Sequence, residues 1–215
     1  MEPMTIVLCL LLVQAALGAL DTFVSHEWRE HLPRQPWAAR ELALHALRST
    51  LFAALFAGLA WFDWHGAWGW VVLAVMVVEY VVTTVDSVVE DRTRRLSSFE
   101  RTNHMLLALN TGLYTAFYVL QLATAWQRLP AAVVVAKHSL WLSLPLTLSA
   151  VAAAAWAVRD AVASHRLDEL RAGTGFRGSG PEKRLSAAAG SGGENGSRRP
   201  VVPGTEHRAD KDHAP

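Results

Sequence analysis

The chain has 215 residues, of which 52% are hydrophobic and only 18% charged, with a formal net charge of +1. That balance argues against a nucleic-acid partner, since no basic stripe is interleaved with aromatic residues. The single cysteine, Cys9, excludes an internal disulfide and any Cys-based zinc site.

The mean hydropathy of +0.20 understates the apolar character of most of the chain, because its C-terminal stretch is polar. The first predicted element, residues 4–25, opens with an apolar run of signal-peptide or short-span length. Its start, Met-Glu-Pro-Met, lacks a basic n-region, and Ala16-Leu-Gly-Ala19 is a weak cleavage site. The run therefore reads as a retained first span, with a cleaved signal peptide as the alternative. The sequence His31-Leu-Pro-Arg-Gln-Pro-Trp37 then breaks the helix, because proline disfavours helix both within and before it. A second span follows over 40–62. Asp63 to Gly69 reads as a tight aromatic turn, with tryptophans that suit a headgroup layer.

The third span, 69–90, is rich in valine and interrupted by Glu79. A carboxylate deep in a bilayer costs about 2.5 kcal/mol or more, so Glu79 is expected to face the bundle and have a partner. An arginine-rich link leads to the fourth span, 101–126, and a fifth covers 133–158, with Pro145 inside it and an amphipathic extension over Arg159 to Leu170. Residues 171–215 carry too little apolar surface to offset the entropy of ordering them and are expected to be disordered. The fold class is thus all-α: a multi-span transmembrane bundle with a four-helix core, a fifth helix and a disordered C-terminal tail, since backbone polar groups in hydrocarbon must be satisfied within each segment.

Arginines set the expected orientation. Arg29, Arg34, Arg40 and Arg48 flank the first link and Arg92, Arg94, Arg95 and Arg101 the third, while the second link, Asp63 to Gly69, has none. By the positive-inside bias the N-terminus lies outside and the tail in the cytoplasm. The expected partner is the lipid bilayer, with a soluble or membrane protein partner left open.

Two polar stretches interrupt this apolar plan, Asp21 to His45 and Val85 to His104. Each hairpin enters with carboxylates and leaves with Glu-x-x-x-His: Glu41 with His45, and Glu100 with His104. Residues four apart share a helix face. The repetition reads either as a faint internal duplication or as chance. Carboxylates and imidazoles delivered to one depth by four helices match the geometry of a di-metal carboxylate site in a bundle. The candidate metal ligands are His26, Glu27, Glu41, His45, Asp86, Glu90, Glu100 and His104, and this donor mixture suits iron, manganese or zinc.

Three other readings stand beside that one. The same residues can form a structural ionic network, with Arg48 and Arg101 offsetting the acids. His45 and His104 can ligate one haem b from opposite sides. Glu79 can belong to a proton or ion path, or the whole can be a membrane scaffold. No Ser-His-Asp triad, phosphate-cradling glycine loop or dinucleotide fingerprint is present.

On these residues the chain weakly resembles membrane di-metal carboxylate proteins. It departs from the soluble class, which spaces its pair as Glu-x-x-His, and it lacks the His-x-x-His-His boxes of membrane desaturases. Over residues 20 to 125 it resembles uncharacterised bacterial multi-pass integral membrane proteins that share the Asp-to-His stretch. That resemblance implies a bacterial inner (plasma) membrane and no particular activity.

Overall fold

The computed structural model describes residues 2–29, 32–93 and 95–173. The stretch expected to be a disordered tail lies outside the described residues from position 174 onward. Among the described residues, five helices are long and apolar enough to cross a membrane.

Helix α1, Pro3–Leu20, begins on a proline, whose missing N–H costs nothing at a first helical position. It continues directly into a π-helical stretch, Asp21–Arg29. Short 3₁₀ turns at Leu32–Arg34 and Pro36–Ala38 each contain one of the two prolines and lead into α2, Ala39–Trp61. Helix α3 spans Ala67–Thr93 and α4 spans Ser98–Thr124. Ser97 caps α4, its hydroxyl accepting the Glu100 backbone N–H at 3.2 Å. Helix α5 runs from Leu140 to Gly173.

The fifth apolar segment differs from the sequence expectation. Residues 132–135 are not helical: β1, Phe62–His65, pairs antiparallel with β2, Ala132–Val135, with Phe62 opposite Val135 and His65 opposite Ala132. A run of three valines against an aromatic strand suits a pleated pair better than a helix. The small ribbon closes the backbone hydrogen bonds of two connections at the end where α2 and α4 finish. Gly66, at φ +56°, turns the chain from β1 into α3 in a left-handed conformation that glycine adopts freely. At the other end, α5 absorbs the stretch expected as a separate amphipathic extension.

Helix α5 is also more than an addition to a four-helix core. It lies antiparallel to α2, with Ser143 Oγ donating to the Ala60 carbonyl at 2.8 Å near one end and Ser164 Oγ to the Ala39 carbonyl at 2.7 Å near the other. Beside the first of these the Trp61 indole donates to Thr147 Oγ1 at 2.8 Å. The apolar core draws on all five helices, including Leu8 and Leu11 of α1, Phe56 and Leu59 of α2, Met76 of α3, Tyr114 and Tyr118 of α4, and Leu146 of α5.

Helices α1 and α4 are joined by amides. Asn110 Nδ2 donates to Gln14 Oε1 at 2.7 Å and to the Leu10 carbonyl at 2.9 Å, Gln14 donates to Thr111 Oγ1 at 3.3 Å, and Asn103 donates to the Leu17 carbonyl at 3.2 Å. The residue numbers rise on α4 as they fall on α1, so the pair is antiparallel. Its partners fix the depth of α1 against α4, and so the level at which Asp21 emerges.

Candidate metal centre

Helix periodicity places the acids. The buried positions of α3 are Gly69, Val72, Met76, Glu79, Val82, Asp86, Val89 and Glu90, spaced by three or four up to the adjacent last two, so one face of the helix is turned inward along its whole length. Glu79, Asp86 and Glu90 lie on that face. Glu41 and His45 lie on the buried face of α2, and Glu100 in the first buried turn of α4. Asp21, the first residue of the π-helical stretch, is fully buried. The wider winding starts where α1 must present this acid, and local π turns commonly re-aim side chains at sites of this kind.

His45 Nε2 lies 3.0 Å from Asp86 Oδ2 and 3.4 Å from Glu90 Oε1. His104 Nε2 lies 3.2 Å from Asp21 Oδ2, and its Nδ1 lies 3.5 Å from Glu90 Oε2. The two oxygens of Glu90 therefore face different imidazoles, and one carboxylate links both histidines. Two groups could each surround an ion. Glu41, His45 and Glu90 offer ligand atoms within 4.8 Å of one another, and so do Asp21, Glu100 and His104. The Glu-x-x-x-His pair of α2 is completed by an acid of α3, and that of α4 by an acid of α1, so each group takes residues from both hairpins.

Arg48 lies between the groups. Its guanidinium reaches Asp86 Oδ2 at 3.2 Å and Asp21 Oδ2 at 3.8 Å. Carboxylates this close cannot all stay ionised unless a cation lies among them, and Arg48 is one such cation. Glu79 sits deeper and has the partners its position demands: it accepts from Thr83 Oγ1 at 2.6 Å and from the Tyr114 hydroxyl at 3.3 Å. An apolar cavity of about 190 Å³, edged by Phe52, Phe56 and Trp156, reaches the polar cluster at Arg48.

Of the eight candidate residues, Glu41, His45, Asp86, Glu90, Glu100 and His104 come together at the shared end of α2, α3 and α4. Glu27 does not join them. It pairs with Arg159 of α5, which also stacks on Trp156 and lies 3.4 Å from Asp160. The reason is the cation that α5 brings to that level, a partner with no proximity to Glu27 in the sequence. The backbone of His26 lies in the π-helical stretch, and its side chain is outside the described residues. Asp21 was not among the eight. The available signal was its place at the end of α1, equivalent to that of Asp86 at the end of α3.

Comparison of the chain with protein families, with characterised proteins and with solved structures finds no match.

Proposed function

We propose that this integral membrane protein holds two divalent metal ions, iron, manganese or zinc, in a His/carboxylate centre where α1 to α4 share one end. The observation that carries the reading is Glu90, whose two oxygens face His45 and His104 separately. A carboxylate between two His/carboxylate groups is how adjacent metal ions are commonly bridged in helical bundles. On either side the donors are one imidazole and hard carboxylate oxygens, the mixture these metals take. Such a pair supplies redox chemistry or activation of bound water, depending on the metal.

A haem between the same imidazoles is the poorer fit, because it would need the space that the Glu90 carboxylate occupies. A structural ionic network is the second reading, favoured by the Arg48 guanidinium between Asp86 and Asp21. The arginine distribution supports a multi-pass orientation in a bacterial plasma membrane, with the N-terminus outside and the tail and the centre on the cytoplasmic side.

Elemental analysis of detergent-purified protein tests the reading. The expected result is close to two metal equivalents per chain, lost in His45→Ala and His104→Ala while both variants still insert. Protein that holds no metal, and takes up none of the three when they are added, leaves the ionic network in its place.

A further inference from the structure

We infer that the end of the bundle carrying the candidate centre also holds a docking groove for an anionic phospholipid. The groove goes beyond the metal reading and does not depend on it. It is a hollow of about 410 Å³ between α2, α3 and the end of α5.

Three arginines line it from elements far apart in sequence: Arg40 at the start of α2, Arg92 at the end of α3 and Arg171 at the end of α5. Trp37, which suits a headgroup layer, lies beside them. Arg40 and Arg92 differ in their pairing from other arginines nearby. Arg48 is engaged by Asp86 and Asp21, and Arg159 by Glu27 and Asp160. Among the described residues neither Arg40 nor Arg92 has an ion pair, and both are exposed. Arg171 also pairs with Asp168, at 3.8 Å. Glu41 also lines the hollow and opposes an anion, but Arg40 and Arg92 outnumber it.

The wall below the arginines is apolar. Val85, Val88 and Val89 line the hollow, and they share a face of α3 with Arg92 because they are spaced by three, four and seven from it. The track continues towards the middle of the span through Val81 and Val78, both about half exposed. A guanidinium fork matches phosphate oxygens, and basic pockets between helix ends take anionic lipid headgroups. A free phosphate would use the mouth alone. A phospholipid uses the mouth and the valine track together, and it is the occupant this surface fits.

Native mass spectrometry of the full chain in detergent, with equimolar phosphatidylglycerol and phosphatidylcholine of matched chain length, tests the groove. Phosphatidylglycerol adducts should exceed phosphatidylcholine adducts by about tenfold, a preference worth about 1.4 kcal/mol. The excess should vanish in R40Q/R92Q and survive in R95Q/R128Q, which removes the same charge outside the groove. Val85→Ser/Val88→Ser should weaken retention with all arginines present, and millimolar inorganic phosphate should not displace the lipid. Equal binding of the two lipids, or equal losses in the two arginine double variants, overturns the groove. Displacement by inorganic phosphate overturns the lipid as its occupant. If R40Q/R92Q does not fold, R92Q read against R128Q decides the same point.

Discussion

Asp21 and His104 face each other at 3.2 Å, joining the end of α1 to the first turns of α4 across most of the length of the core sequence. The contact closes the ring of helices that begins with His45 and Asp86 at 3.0 Å between α2 and α3. Both contacts cross between the hairpin of α1 and α2 and the hairpin of α3 and α4. Through them, the two hairpins share a single polar cluster.

Replacing Glu90 by Gln should act on both halves of the cluster at once. The amide keeps the shape and loses the charge and one acceptor oxygen. In the two-metal reading both ions weaken together, by about tenfold or more in affinity, a loss of about 1.4 kcal/mol each. Competitive titration against a chelator would measure this. Loss of one equivalent with the other unchanged would show that Glu90 serves a single ion and does not bridge.

Arg48→Ala removes the cation between Asp86 and Asp21. Breaking a buried ion pair by deleting one partner costs on the order of 3–5 kcal/mol, because the remaining charges stay desolvated. The metal and network readings diverge in where that cost appears. With metal bound, added divalent ion should restore much of the lost resistance to denaturing detergent. In a purely structural network it should restore none, and Arg48→Ala and Glu41→Ala should be similarly damaging.

The amide link between α1 and α4 should contribute modestly. Asn110→Ala deletes the hydrogen bonds to Gln14 and to the Leu10 carbonyl. Interhelical hydrogen bonds in membranes average about 0.6 kcal/mol and reach about 1.7 kcal/mol. Thermal unfolding in detergent should therefore show a small decrease. A loss several times larger would mean that Asn110 also sets the depth of Asp21, which metal content in the same variant would reveal.

Gly66→Ala should destabilise the far end of the bundle. A Cβ there would lie 2.9 Å from the Ala131 backbone, at a left-handed φ that costs other residues about 1–2 kcal/mol. The ribbon should loosen, seen as faster amide exchange at Phe62 to His65, while metal content stays unchanged. Unaltered exchange in the ribbon would show that the turn relaxes freely.

Single cysteines at Arg95 and Gln127, in a Cys9→Ser background, report the topology. The two positions lie at opposite ends of α4. In sealed vesicles an impermeant thiol reagent should reach only one of them. Labelling of both from the same side would contradict a membrane-spanning α4.

The sequence by itself determined the spans and the polar character of one end. Whether a segment crosses hydrocarbon is a local property of its length and hydropathy, because each helix satisfies its own backbone. The same locality made the inward face of α3 readable, since Glu79, Asp86 and Glu90 lie on one helical face whatever surrounds them. That Glu79 faces the bundle and needs a partner follows from that; which groups serve, Thr83 on its own helix and Tyr114 on α4, is seen only in the fold. The tertiary structure decided which acid meets which histidine. Asp21 enters the cluster through a π-helical turn, Glu27 leaves it for Arg159, and Arg48 bridges two acids from different hairpins. The valines of 133–135 become a strand because a partner strand at 62–65 lies beside them. These outcomes depend on the rotation and depth of each helix against the others. Those are fixed by side chains distant in sequence, such as Asn110 on Gln14 and Ser164 on the Ala39 carbonyl, and no local pattern carries that information.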